Sequence, residues 1–243
     1  MKKIALSLLI LFSISSYAQK LYRKDLLNLE KNIYQEALKN YDLETAQVAV
    51  YHIINLEGNQ SKYLDTLAFI YFNQKKFLPC LKVANRILKN KDNLPILELK
   101  AISLENLKDI KGAIGAYEKI YTQKKEAVVA YKLAQLQQEL KRSAEAYATL
   151  KSAENLKFPD KGFVAFPSAR KGQSQNVPLK AAFYSLMAQT SYDLHNYPMA
   201  VKYYDEALKV YPDFFVAKQN KQVIQMLEKK LDTKVNSQTN QKK

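Results

Sequence analysis

Small residues recur along the middle of the chain at intervals of 33 positions, in two sets that lie twelve positions apart. The first set is Ala68, Ala101 and Ala134, and the second set is Cys80, Ala113 and Ala146. Ala188 and Ala200 repeat the internal distance of twelve. Two helices joined by a tight turn must pack antiparallel, and axes about 8–10 Å apart require a small side chain at the crossing. The pattern therefore predicts a series of antiparallel helix pairs.

The stretch NYPMAVKYYDEALKVYP, residues 196–212, contains the second helix of the last predicted pair. Ala200 provides the small side chain at the crossing, and Ala207 lies two turns later on the same face. Tyr204, one turn after Ala200, fills the space beside that contact. Pro212 ends the helix, since proline cannot continue the hydrogen-bond ladder.

Residues 181–214 resemble a tetratricopeptide repeat over its full length. The positions that carry this resemblance are Tyr184, Met187, Ala188, Tyr197, Ala200, Tyr204, Ala207 and Pro212. Ser191 departs from the family, which usually has an aromatic residue there. Further copies cover 27–60, 61–93, 94–126 and 127–156, of which the first is the most divergent. The resemblance implies an all-α, right-handed α-solenoid of about five helix pairs in a domain spanning 19–231.

A further amphipathic helix follows the last repeat and is predicted to cap the open end of the stack. Its covering residues would be Phe215, Ala217, Val223, Met226 and Leu227. The polar tail 232–243 is predicted to be disordered.

Residues 157–180 interrupt the repeats and show no helical period. Loops of this length without secondary structure are uncommon and often functional. The segment is basic, with Arg170 and Lys171 among its cations, and Phe163 and Phe166 among its aromatics. Two interpretations stand: a functional loop that could fold over a groove, or a tolerated insertion whose phenylalanines pack on neighbouring helices.

The N-terminus has the pattern of a secretory signal peptide over residues 1–18. Two lysines precede an apolar run from Ile4 to Ile14, and Ser16 and Ala18 fit a cleavage site. This run is too short to span a hydrocarbon core of about 30 Å. We expect cleavage after Ala18 and a periplasmic or otherwise extracytoplasmic protein without a transmembrane segment; an uncleaved anchor is the alternative.

No catalytic or cofactor motif occurs in the sequence. The two histidines, His52 and His195, lie in different repeats, and no metal-ligand spacing or glycine-rich phosphate loop is present. The chain is therefore predicted to be non-enzymatic, with no cofactor. The single cysteine, Cys80, is either a small packed residue between helices or a reactive thiol near Lys75 and Lys76.

The family resemblance places the binding surface on the first helix of each pair. The groove residues expected from it are Phe69, Phe72, Ile102, Glu105, Tyr131, Gln135, Gln189 and Tyr192. The rival interpretation is that their rings pack against neighbouring helices. The formal charge of +15 lies mostly outside this groove, which argues against nucleic acid as a partner.

These features predict a scaffold that binds a protein or peptide in a bacterial cell envelope. Acidic groove residues would favour a partner with basic residues. The alternative is a surface-binding protein that holds an anionic envelope polymer or lipid headgroups through its basic convex side and insertion.

Overall fold

The computed structural model describes the backbone of residues 2–58 and 60–240, and the side chains of residues 19–58 and 60–229. The chain divides into two compact units, with the boundary between Asp109 and Ile110. The side chains of residues 1–18, on which the predicted cleavage depends, lie outside the described part. No helix in the described part is both long and apolar enough to cross a membrane.

The described residues of the first unit form five helices. They are α1 (Lys2–Lys39), α2 (Leu43–Glu57), α3 (Tyr63–Asn73), α4 (Phe77–Leu88) and α5 (Leu94–Asn106). Successive helices pack on one another, so that α1 contacts α2, α2 contacts α3, and α4 contacts both α3 and α5. Local signals set their starts, since Asp42 accepts a hydrogen bond from the Thr45 amide at α2, and Asn93 caps α5.

Six helices and two strands make up the part of the second unit that the structure describes. They are α6 (Ile110–Gln123), α7 (Ala127–Glu139), α8 (Ser143–Ala153), β1 (Phe163–Pro167), β2 (Ser174–Pro178), α9 (Leu179–Asp193), α10 (Tyr197–Val210) and α11 (Phe215–Asn240). In this unit, α7 packs against α6, α8 and α9, while α10 packs against α9 and α11. The backbone of α11 reaches Asn240, so the tail predicted from residue 232 overlaps this helix. Residues 241–243 lie outside the described part.

The predicted small residues are buried in both units. Eight of them have no exposed surface: Ala68, Cys80, Ala101, Ala113, Ala134, Ala146, Ala188 and Ala200. Tyr204 and Ala207 are buried beside Ala200, as the spacing in α10 predicts. The predicted all-α fold built from tetratricopeptide-type helix pairs is therefore confirmed.

Each turn between the two helices of a pair has the same backbone conformation. At the end of α3, the Lys75 amide donates to the Phe72 carbonyl at 2.9 Å, and the Lys76 amide donates to the Tyr71 carbonyl at 2.8 Å. This is the Schellman arrangement, which requires a left-handed residue after the helix. The left-handed residues are Tyr41, Lys75, Lys108, Lys141 and His195, with φ between 57° and 62°.

Glycine at a left-handed turn position is expected to stabilise the fold. In Lys75→Gly, the steric cost of a left-handed side chain disappears, and we expect a gain of about 1 kcal/mol in the free energy of unfolding. Lys82→Gly is the matched control, since Lys82 is exposed inside α4, where glycine costs about 1 kcal/mol. Urea denaturation of both variants measures the two changes. Equal destabilisation by both substitutions would contradict the role of the turn.

Cys80 is a packed residue of the first unit and has no exposed surface. Burial raises the pKa of its thiol, so the native protein holds less thiolate than a free cysteine would at the same pH. This confirms the packed interpretation over the reactive one.

A thiol reagent is expected to label Cys80 slowly in the native protein and quickly after denaturation. Labelling of the native protein should stay slow, because the sulfur is buried and the raised pKa lowers the thiolate fraction. Cys80→Ala should be mild, whereas Cys80→Leu should overpack the crossing at a cost of about 1–3 kcal/mol. Equal labelling rates before and after denaturation would refute this placement.

The segment 157–180, for which the sequence predicts no regular structure, forms an antiparallel β-hairpin. Phe163 pairs with Pro178 at its base, and Pro167 pairs with Ser174 near its tip. The base is closed by the Leu179 amide, which donates to the Gly162 carbonyl at 2.7 Å. A Cβ atom at Gly162 would lie 2.9 Å from Pro159 Cγ, so only glycine fits this turn without movement.

The inner face of the hairpin packs on the helices of the second unit. The ring centroid of Phe166 lies 4.8 Å from that of Phe214, and the centroids of Phe158 and Phe183 are 5.1 Å apart. Val177 has no exposed surface. Phe163 points the other way and is 59% exposed.

Candidate binding surface

The predicted groove residues of the first unit differ in exposure. Phe69 is 43% exposed, whereas Phe72 is half-buried with its ring edge-to-face against Phe77 at 6.1 Å between centroids. Ile102 and Glu105 are half-buried. Phe69 therefore offers an apolar surface to solvent, while part of the Phe72 ring is used within the unit.

Tyr131, predicted to be an exposed groove residue, is buried in the second unit. Only 5% of it is exposed, and it belongs to the same hydrophobic cluster as Ala182 and Ala188 of α9. Its hydroxyl accepts a hydrogen bond from Gln135 Nε2 at 3.2 Å, and burial raises its pKa to about 12. Tyr131 therefore follows the rival interpretation, in which the ring packs against a neighbouring helix, because α9 packs directly on α7.

The capping helix also differs from the prediction. Phe214, Ala217 and Ile224 are buried, whereas Val223 and Met226 are 53% and 62% exposed. The apolar side of α11 is therefore rotated relative to the predicted one. This rotation leaves Val223 beside an open recess instead of in the core.

The second unit contains a recess of about 180 Å³ between α9, α10 and α11, which we call the Tyr204 recess. Its lining residues are Gln189, Tyr192, Tyr204, Asn220, Val223 and Ile224. Two of them, Gln189 and Tyr192, are predicted groove residues. Tyr204 is buried, and its hydroxyl accepts a hydrogen bond from Asn220 Nδ2 at 3.1 Å. Burial raises the pKa of Tyr204 to about 12, so this hydroxyl stays neutral near physiological pH.

A second recess of about 350 Å³ shares Tyr192 with the first, and we call it the Asp193 recess. It is lined by Lys141, Ser143, Tyr192, Asp193, His195 and Tyr197. Lys141 and His195 are the left-handed turn residues of this unit. The rings of Tyr192 and Tyr197 face each other at an angle of 50°, with centroids 5.6 Å apart.

The Asp193 carboxylate is held by two neutral donors. Its Oδ2 atom accepts hydrogen bonds from the Gln138 side-chain amide and, at 3.5 Å, from the Ser143 hydroxyl. No described lysine, arginine or histidine forms an ion pair with this carboxylate. His195 Nδ1 instead lies 3.4 Å from the Tyr197 hydroxyl. The Asp193 carboxylate therefore has only neutral partners, in a recess with two aromatic walls.

The hairpin does not contribute to either recess, because none of its residues is among the lining residues. Its inner phenylalanines pack on Phe183 and Phe214 instead of covering the groove. Arg170 and Lys171 are exposed at its tip. This agrees with the interpretation of 157–180 as an insertion that packs on neighbouring helices, and it leaves the exposed Phe163 without a structural role.

Several lining residues are not among the predicted groove residues. The resemblance assigns Tyr197 to packing, and Asn220 and Val223 lie in a helix for which only a capping role was predicted. The sequence of α11 carries a signal for this difference. Its apolar residues 215, 217, 223 and 226 do not share one helical face, so they do not all cover the stack. The described residues contain no group of three or more histidine, cysteine, aspartate or glutamate side chains that could hold a metal ion.

The fold is similar to that of several solved tetratricopeptide repeat structures. One is YrrB, described as a TPR protein with an unusual peptide-binding site, with a TM-score of 0.60 and 13% identity over 79% of this chain and 89% of that chain. Another is MamA from Desulfovibrio magneticus RS-1, with a TM-score of 0.55 and 14% identity over 79% and 98% of the two chains.

A tetratricopeptide repeat protein from Parabacteroides merdae ATCC 43184 is also similar, with a TM-score of 0.56 and 13% identity. The match covers 85% of this chain and 75% of that one. No protein-family model matches the sequence, and no curated protein matches it in a sequence search. At identities of 13–14%, the likeness establishes a tetratricopeptide repeat fold.

Proposed function

We propose that the protein is an exported, non-catalytic interaction module that binds a protein or peptide partner on its second unit. The observation that carries this proposal is the pair of adjoining recesses that share Tyr192. Concave sites that combine apolar walls with a few placed polar groups are typical of binding sites. The likeness to YrrB, a TPR protein with an unusual peptide-binding site, supports a peptide-like ligand.

Site-specific crosslinking tests this proposal. The photoreactive residue p-benzoylphenylalanine is placed at Tyr192 and, as a matched control, at Lys119, which is exposed on α6 of the same unit. We expect a discrete protein adduct in envelope extract with the residue at 192 and none with the residue at 119. Identical adduct patterns at both positions, or no adduct at 192, would contradict the proposal.

Export is a second part of the proposal and rests on the sequence of residues 1–18. The mature chain would begin at Gln19. N-terminal mass mapping after cell fractionation measures this directly. An intact Met1 in the membrane fraction would refute it.

The basic hairpin favours a second candidate function, which is binding to an anionic envelope polymer or to lipid headgroups. The cations of this segment are all exposed, and none forms an ion pair with a described acidic side chain: Lys157, Lys161, Arg170, Lys171 and Lys180. Asp160 is the segment's one acid. The exposed Phe163 adds an apolar group beside Lys161.

Salt dependence separates the two candidate functions. Binding to polyglutamate or to phosphatidylglycerol vesicles through exposed cations should weaken steeply as the ionic strength rises. Binding through the recesses of the second unit should change less. Salt-independent binding to both anionic probes, or no binding at low salt, would exclude the second candidate.

A further inference from the structure

We propose that the Asp193 recess takes the side chain of an arginine or lysine, while the Tyr204 recess takes an apolar side chain of the same segment. This inference rests on the proposed peptide-binding function and specifies its ligand. The partner would present a basic residue close to an apolar one, in an extended conformation. The charge of Asp193 and the shared wall at Tyr192 carry the argument.

Asp193 is a carboxylate acceptor without a counter-ion among the described residues. The two groups that hold it, the Gln138 amide and the Ser143 hydroxyl, are neutral. They fix the direction of the carboxylate but leave its net charge in place. A guanidinium or ammonium group would supply the missing charge and a charge-assisted hydrogen bond.

The position of Asp193 in α9 strengthens its preference for a cation. It is the last residue of the helix, and the carbonyl end of a helix carries partial negative charge. The rings of Tyr192 and Tyr197 border the same recess with centroids 5.6 Å apart. Aromatic faces attract cations, and a planar guanidinium also stacks on them, which favours arginine over lysine.

Lys141 and His195 line the same recess and would oppose a cation. Both are exposed and stand at left-handed turns. Lys141 forms no ion pair with a described acidic residue, and its ammonium group is free to move into solvent. An acidic ligand held by Lys141 and His195 is the competing occupant, and the experiment below distinguishes the two.

The Tyr204 recess suits an apolar side chain. Its volume of about 180 Å³ is comparable to the roughly 150 Å³ of an engineered cavity that binds benzene. Val223 and Ile224 provide apolar lining, and the amide of Asn220 is already engaged by Tyr204. Since the two recesses share Tyr192, their occupants must come from nearby residues. In an extended chain, side chains two positions apart point to the same side.

Synthetic peptides test the inference on the full mature chain. The probes are fluorescent, end-blocked nine-residue peptides with a glycine-serine background and Leu-Ser-Arg at the centre. Two further peptides replace arginine by citrulline, its neutral isostere, or by glutamate, and a third replaces leucine by glycine. Fluorescence anisotropy gives the dissociation constant of each peptide.

The arginine peptide should bind at least about tenfold more tightly than the citrulline peptide, as expected for a charge-assisted hydrogen bond. In Asp193→Asn, this preference should disappear while the affinity for citrulline and the melting temperature stay unchanged. Replacing leucine by glycine should weaken binding of the peptide to the wild type. In Val223→Ser, the same replacement should weaken binding less.

Equal affinity for the arginine and citrulline peptides would overturn the inference, as would undetectable binding of the arginine peptide at millimolar concentration. Tighter binding of the glutamate peptide would assign the recess to an acidic ligand instead. These outcomes are distinguishable from failure of the proposed function. A specific adduct at position 192 without an arginine preference refutes the inference alone, whereas no adduct at 192 refutes the peptide-binding function itself.

Discussion

Tyr131→Ala is expected to lower the free energy of unfolding by about 3–5 kcal/mol, the range for truncating a large buried aromatic side chain. The ring is 5% exposed and packs in the cluster that joins α7 to α9. Its removal leaves a cavity that the surrounding alanines cannot fill. Chemical denaturation of the purified protein measures the loss, with wild type as the reference.

Tyr131→Phe is the matched control for the hydroxyl group. It removes only the hydrogen bond accepted from Gln135, and we expect a loss of about 1 kcal/mol. If Tyr131→Ala melts like wild type and instead weakens partner binding, the side chain is exposed in solution. That result would restore the groove assignment predicted from the sequence.

Phe214→Ala is the second large effect that we expect, with a loss of about 3–5 kcal/mol in the free energy of unfolding. Phe214 has no exposed surface, and its ring contacts Phe166 of the hairpin and Tyr211 at the end of the last pair. The substitution should also loosen β1. Hydrogen exchange at the amides of β1 and β2 should accelerate more than exchange in α6.

Phe163→Ala provides the matched control, since it removes the same side chain from the opposite face of the hairpin. Phe163 is 59% exposed, and surface substitutions usually change stability by less than about 0.5 kcal/mol. A similar loss of stability in both variants would mean that the outer face of the hairpin is covered in solution. Unchanged hydrogen exchange in Phe214→Ala would mean that the hairpin is held by other contacts.

The helix pairs could be predicted from the sequence because their requirement is local and repeated. A close crossing of two helices excludes large side chains, and this constraint recurs every 33 positions at Ala68, Ala101 and Ala134. All three are fully buried. Pro95 and Pro198 lie in the first turns of α5 and α10. Proline is favoured there because the amides of the first turn have no partner within the helix, so these positions also follow from local rules.

The exposure of the aromatic groove residues could not be predicted in the same way. Helical periodicity gives the face on which a residue lies, but not how closely the next helix approaches that face. Tyr131 and Tyr192 both lie on predicted groove faces. Yet Tyr131 is buried where α9 meets α7, while Tyr192 borders two open recesses. The difference depends on tertiary packing.

The hairpin escaped prediction for a related reason. Its strands are five residues long, and each ends in proline or polar residues that are typical of loops. Its alternating burial pattern depends on tertiary packing, such as the contact of the Phe166 ring with Phe214, a residue distant in sequence. The glycine that closes its base, Gly162, has no local signature that separates it from any loop glycine.

The five left-handed turns have a consequence for how this sequence can diverge. Their conformation is set by backbone hydrogen bonds, so the side chain at each turn is not needed to form it. A non-glycine residue costs about 1 kcal/mol there, which a large packed core tolerates. Evolutionary drift at Tyr41, Lys75, Lys108, Lys141 and His195 can therefore alter the charge along the rims of the helix pairs while the backbone stays unchanged. Closely related chains would then share one architecture and differ in the ligands that they attract.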